Sequence, residues 1–121
     1  MKKKVYILED DLDLRQILAH VLAKEYEVLE AESLDVSQVA VFQPDIILMD
    51  HGLGTSTSDQ NLRELKSYIP GFSIPVVLLS GHPDLGRVAL DNAVAGFIKK
   101  PAGIGEVRAY LHDFFGAKPD A

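Results

Sequence analysis

The 121-residue chain has no cysteine. Disulfides and thiolate metal sites are therefore excluded, although that absence alone does not fix the compartment. No apolar run approaches the ~18 residues of a membrane-spanning helix. The N-terminus is basic, but no signal-peptide core follows it, because Glu9-Asp10-Asp11 interrupts the apolar stretch. A cytoplasmic domain is the expectation. Basic charge is also scarce: 12 Lys and Arg stand against 18 Asp and Glu, a formal net charge of −6. A chain this acidic lacks the electrostatic footprint that a phosphate backbone demands, so direct nucleic acid binding by this domain is not expected. The only basic run, Lys2-Lys3-Lys4, precedes a strand pattern and reads as a solvated terminus. Repeats and low-complexity segments are missing, and no linker occurs before a polar tail at 117–121.

Hydrophobic residues make up 47% and charged residues 25%, which is the balance of a globular chain rather than a disordered one. The length fits one domain with a real core, here residues 1–116. Short apolar runs alternate with stretches of helical periodicity. Val5 to Leu8 is the first run. Leu14, Ile17, Leu18, Val21 and Leu22 then recur at helical spacing, with Asp13 as the expected cap and Gln16 as its capping-box partner. Tyr26 to Leu29 is a weaker strand pattern, and Leu34 to Phe42 a short helix stopped by Pro44. Ile46 to Met49 is a continuous apolar run that ends at Asp50. A Gly/Ser/Thr-rich loop, His51 to Ser58, leads to a helix marked by Leu62, Leu65, Tyr68 and Ile69. Pro75 to Leu79, Leu85 to Ala93, Ala95 to Ile98 and the Val107, Leu111, Phe114, Phe115 series complete five β-α repeats. Continuous apolar strands alternating with helices imply a parallel sheet covered on both faces.

In such a sheet, ligands collect beyond the carboxyl ends of the strands. The first run ends in Glu9-Asp10-Asp11, the third in Asp50, the fourth in Ser80 and the fifth in Lys100. Crowded carboxylates repel one another and call for a cation. Hard oxygen ligands with open positions suit Mg2+, which keeps waters and accepts phosphate oxygens. Asp50 is then placed as a nucleophile toward a phosphoryl group, ionised at pH 7 and in need of no base. Lys100 supplies a point charge to a phosphoryl oxygen and Ser80 a hydrogen bond. Asp13 reads as a helix cap and Asp11 as a solvated residue near the helix start. His51 and His82 read as exposed loop residues flanking the site.

Four segments carry a family resemblance: Val5-Tyr6-Ile7-Leu8-Glu9-Asp10-Asp11, Pro44-Asp45-Ile46-Ile47-Leu48-Met49-Asp50, Pro75-Val76-Val77-Leu78-Leu79-Ser80-Gly81 and Gly96-Phe97-Ile98-Lys99-Lys100-Pro101. In order and spacing, the chain resembles a response-regulator receiver domain of two-component signalling along essentially its whole length. The resemblance implies an α/β flavodoxin-like (βα)5 fold, a doubly wound parallel sheet with strand order 2-1-3-4-5. It implies Glu9, Asp10 and Asp50 as Mg2+ ligands, with the backbone carbonyl of Gly52 completing the set. Asp50 matches the phosphoacceptor, Ser80 the switch hydroxyl, Phe97 the switch aromatic and Lys100 the site lysine. The implied partners are a histidine kinase or histidine phosphotransfer protein, and a downstream protein or output domain. The implied readout face is the fourth helix, fifth strand and fifth helix.

The chain departs from the family pattern in places. Gly54 and Ser58 stand four and eight residues after Asp50, where the family commonly has Pro and Gly. The loop is therefore expected to differ in shape. The interval from Ser80 to Lys100 is shorter than usual, which places the difference in the fourth-helix region. The chain ends soon after the last helical pattern, which fits a stand-alone receiver or the N-terminal part of a longer protein. Two other functions fit the residues less well. A phosphate-independent docking module fits poorly with Asp50 and Lys100 both in place. A phosphohydrolase wants a second acid/base carboxylate near the nucleophile, yet position 52 is Gly. The expectation is a domain that catalyses its own phosphotransfer and dephosphorylation without turning over external substrates.

Overall fold

A computed structural model describes residues 2–50, 52–53, 56–80, 95–99 and 103–116. The expected helix at Leu85 to Ala93, the tail at 117–121, His51, His82 and Lys100 lie outside the described residues. The elements are β1 (Lys4–Leu8), α1 (Leu12–Leu22), β2 (Glu27–Ala31), α2 (Val36–Phe42), β3 (Ile46–Asp50), β4 (Gly52–Leu53), β5 (Ser56–Thr57), α3 (Ser58–Tyr68), β6 (Val76–Ser80), β7 (Gly96–Lys99) and α4 (Ile104–Gly116).

Five strands form one sheet in the order β2-β1-β3-β6-β7. Every neighbouring pair in it is parallel. With the short β4–β5 ribbon set aside, this is the 2-1-3-4-5 order of a doubly wound, flavodoxin-like sheet. The chain moves outward from β1 in one direction and from β3 in the other, so the order reverses between those two central strands.

The apolar runs are continuous because the central strands are buried on both faces. Successive side chains of a strand point to opposite faces. Val5 and Ile7 of β1 join Ile46, Leu48, Val77 and Leu79 in a core closed by Leu18 and Leu22 of α1 and Val107 and Leu111 of α4. Tyr6 and Leu8 join Ile47, Met49 and Leu78 in a second core, closed by Val39 of α2 and Leu62 and Leu65 of α3. Edge strand β2 is half-covered instead, with Glu27 and Glu30 exposed.

Several boundaries differ from the sequence expectation, each for a local reason. The cap of α1 is Asp11, not Asp13: an Asp11 Oδ1 accepts the Leu14 N–H at 3.1 Å, and Asp13 lies inside the first turn. Tyr26 belongs to the turn before β2, where its N–H donates to the Leu22 carbonyl at 2.8 Å. Helix α2 starts after Asp35, whose Oδ1 accepts from the backbone N–H groups of Ser37 and Gln38 at 3.0 and 3.3 Å. It ends when Gln43 turns left-handed (φ 53), one residue before Pro44. The 51–58 stretch is not wholly loop, since Gly52 and Leu53 pair antiparallel with Thr57 and Ser56. Ile17 and Tyr68, expected on buried helix faces, are exposed. Leu14, Leu18 and Leu22 complete the stripe on α1 without Ile17. Ile69 continues the one set by Leu62 and Leu65. Among the described residues, no helix is long and apolar enough to cross a membrane.

Candidate functional site

Because the sheet is parallel, all its strands deliver their last residues to one rim. Asp50 is the final residue of β3 and stands opposite Leu79 of β6. Leu8, the last residue of neighbouring β1, pairs with Met49, so Glu9 and Asp10 leave β1 beside Asp50. One carboxylate oxygen from each of Glu9, Asp10 and Asp50 lies within 4.8 Å of the other two. Glu9 is fully buried and Asp50 is 6% exposed, whereas Asp10 faces solvent.

That geometry fits a hard divalent cation. Three oxygen donors converge and one is open to water, the arrangement by which Mg2+ is held with solvent and substrate oxygens in its remaining positions. Like charges about 5 Å apart repel by roughly 3 kcal/mol at an effective dielectric constant near 20. A cation among them reverses that sign.

The backbone around the acidic loop is fixed by hydrogen bonds. The Glu9 N–H donates to the Ala31 carbonyl at 3.1 Å, which extends the β1–β2 ladder one step past Leu8. The Asp11 N–H donates to Glu9 Oε2 at 3.3 Å. Asp11 is thus a capping residue that also holds the side chain of a candidate ligand. Arg15, which belongs to none of the expected site positions, also contacts this loop. Its Nη1 donates to the Glu9 carbonyl at 2.8 Å, and its Nε donates to Glu30 Oε1 at 3.3 Å. A cation one turn into the helix, at i+4 from the Asp11 cap, is no signal by itself, because only the fold shows its side chain reaching back to the Glu9 carbonyl.

The other expected site residues are placed in part. Gly52 opens the ribbon two residues beyond Asp50. Ser80 ends β6 and pairs with Lys99 of β7. Lys100, the next residue, lies outside the described residues. Phe97 stands opposite Leu78 and is 45% exposed. Behind it, Gly96 faces the Tyr110 hydroxyl of α4 so closely that no β-carbon would fit there unless the tyrosine moved. Burial raises the Tyr110 phenol above its ordinary pKa.

A doubly wound parallel α/β domain with an acidic cluster at its switch point is thereby defined. No protein-family model matches the chain. Individual proteins do. The KDP operon transcriptional regulatory protein KdpE of Escherichia coli is 32% identical over 112 residues, covering 88% of this chain and 48% of that protein. The chemotaxis protein CheY of Halobacterium salinarum is 24% identical over 104 residues, covering 84% of this chain and 87% of CheY. Among solved structures, the N-terminal domain of the nisin resistance regulator NsrR superposes with a TM-score of 0.77 at 28% identity, covering 92% of this chain and 96% of that one. The chain belongs to the response-regulator receiver-domain family of two-component signalling. It spans about half the length of the transcriptional regulators it matches, 48% of KdpE and 51% of PhoB.

Proposed function

We propose that this domain is a Mg2+-dependent phosphorylation switch whose acceptor is Asp50. The observation that carries the reading is the convergence of Glu9, Asp10 and Asp50 at one strand rim, two of the three buried. Burying carboxylates together is costly unless a cation or donors compensate. Three carboxylates gathered at one rim, with Asp10 open to solvent, match the oxygen donor set of a hard divalent cation.

In this reading Glu9, Asp10, Asp50 and the Gly52 carbonyl hold the metal. When bound, Mg2+ supplies charge neutralisation between the acceptor carboxylate and an incoming phosphoryl group. An Asp50 oxygen forms the new bond to phosphorus. The bond from phosphorus to the donor breaks, a P–N bond for a phosphohistidine and a P–O bond for acetyl phosphate, and the donor leaves with the electron pair. Lys100 offsets charge on the phosphoryl oxygens and Ser80 donates a hydrogen bond to one of them. The same site lets water remove the group again. The domain is therefore not a turnover enzyme on external substrates.

The donor is a histidine kinase or a histidine phosphotransfer protein, and the readout is a change in contact with a protein partner or output domain. The half-exposed Phe97, on edge strand β7 next to the strand that ends in Ser80, supports a readout face built from β7 and α4. This reading places the domain in the cytoplasm.

The test is peptide mapping by mass spectrometry after treatment with acetyl phosphate and Mg2+. One phosphoryl group on Asp50 is expected, with none on Asp50→Asn. Comparable labelling of that variant would assign the acceptor elsewhere. A wild type that never labels would turn the reading toward a docking module.

A further inference from the structure

Glu9 and Asp10 lie on the stretch that links β1 to α1, outside either element. Their carboxylates can serve one cation only if the peptide joining them is held in a single orientation. The carbonyl of that peptide is the Glu9 carbonyl, and it accepts Arg15 Nη1 at 2.8 Å. A peptide unit is planar, so fixing its carbonyl direction fixes ψ of Glu9 and φ of Asp10 together. Those torsions set how the two side chains are aimed relative to each other.

Arg15 is itself held at two further points. Its backbone N–H donates to the Asp11 carbonyl at 2.9 Å within the first turn of α1. Its Nε donates to Glu30 of β2 at 3.3 Å, and the side chain is only 12% exposed. The guanidinium is therefore a strut from α1, across the acidic loop, to the edge strand.

We propose that Arg15 is a positioning residue for Mg2+ binding, orienting the Glu9–Asp10 peptide from behind while touching neither metal nor phosphoryl group. The inference rests on the reading of Glu9, Asp10 and Asp50 as the metal site.

Two effects oppose each other at this residue. A fixed positive charge near the carboxylates disfavours a second cation, and a preset ligand geometry favours it. If charge dominated, removing Arg15 would tighten Mg2+ binding. If orientation dominates, removal weakens it, and a lysine does not restore it, because one ammonium cannot reproduce a planar fork that spans two acceptors. Partners that orient metal ligands from outside the coordination shell are commonly worth 10–100-fold in metal affinity. The opposing charge places the expectation at the low end of that range.

The experiment is a calorimetric Mg2+ titration of wild type, Arg15→Gln, Arg15→Lys and Glu30→Gln. Each variant's metal-free melt fixes a temperature at which it is folded. Arg15→Gln is expected to bind about tenfold more weakly than wild type. Arg15→Lys should also bind more weakly, and Glu30→Gln, which keeps the Glu9 contact and weakens the anchor by removing its charge, should fall between. Because affinity is read on folded protein, a purely structural role would lower melting points and leave the dissociation constants unchanged. Unchanged or tighter binding by Arg15→Gln, or wild-type affinity in Arg15→Lys, overturns the positioning role alone. If wild type itself binds no Mg2+, the reading of the acidic cluster fails first, and the positioning role with it.

Discussion

Asp50 is the last residue of a strand whose other four members are all buried apolar side chains. A carboxylate at that point, 6% exposed and facing two more, is expected to weaken the fold when no metal is bound. Removing one charge should relieve the repulsion. Asp50→Asn or Asp10→Asn is therefore predicted to stabilise the metal-free protein by about 1–3 kcal/mol, somewhat less than the full pairwise repulsion because Asp10 faces water. Most substitutions destabilise, so the sign is informative. Mg2+ binds the folded site and not the unfolded chain, so it should raise the wild-type melting point and raise that of Asp10→Asn much less. Thermal melts with and without Mg2+ read both effects. Lower metal-free melting points in both variants, or a wild type indifferent to Mg2+, would contradict the assignment. Glu9, Asp10 and Asp50 were legible in the sequence because the Glu9-Asp10 pair and Asp50 stand where apolar runs end. Arg15 was not, since its part depends on where a long side chain reaches back across a turn. Asp11 and Asp13 exchanged roles for a similar reason: both are capping residue types, and only the path of the chain after β1 decides which one precedes the helix.

The elements around the site are joined by contacts that periodicity cannot reveal. Gly96 in β7 is one such contact, since the Tyr110 hydroxyl of α4 occupies the space a β-carbon would need. Gly96→Ala should cost about 1–3 kcal/mol, the usual range for overpacking. Tyr110→Phe in the same chain should recover most of that loss by removing the obstructing oxygen. Melts of both single variants and the double variant test the pair, and no recovery in the double variant would place the strain elsewhere. A second contact ties α4 to the turn before β2. Glu25 accepts from Arg108 Nε at 2.5 Å and lies 2.6 Å from His112 Nε2. The Arg108 hydrogen bond, aided by His112, holds the Glu25 carboxyl below the usual carboxylate range. A depressed acid contributes stability above its unfolded pKa and loses it as pH falls through the folded value. The melting advantage of wild type over Glu25→Gln should therefore be full at about pH 5 and above, and should vanish on further acidification. An advantage that persists in strong acid would show that the carboxylate charge is not its source. Central strands were easy to read because burial on both faces leaves a continuous apolar signature. The β4–β5 ribbon was missed because strands of two residues have no period to detect.

Across the whole molecule, topology does most of the assembly. Parallel strands force the chain to place Glu9, Asp10, Asp50 and the end of Ser80's strand on one rim, however the intervening helices vary. That is why alternating runs and their terminal residues were enough to anticipate a parallel sheet and the acidic cluster at its rim, whereas the strand order came from the family resemblance. The contact between Gly96 and Tyr110 was less legible, since it joins a strand and a helix whose packing no local pattern reveals. The central claim is that Asp50 accepts a phosphoryl group when Mg2+ is held by the acidic cluster. Intact-mass spectrometry over time, with acetyl phosphate in Mg2+ and in excess chelator, tests it most directly. The account predicts one phosphoryl group on wild type in Mg2+, almost none in chelator, and little on Asp10→Asn in either. Equal labelling with and without metal, or no labelling of wild type at all, would contradict it.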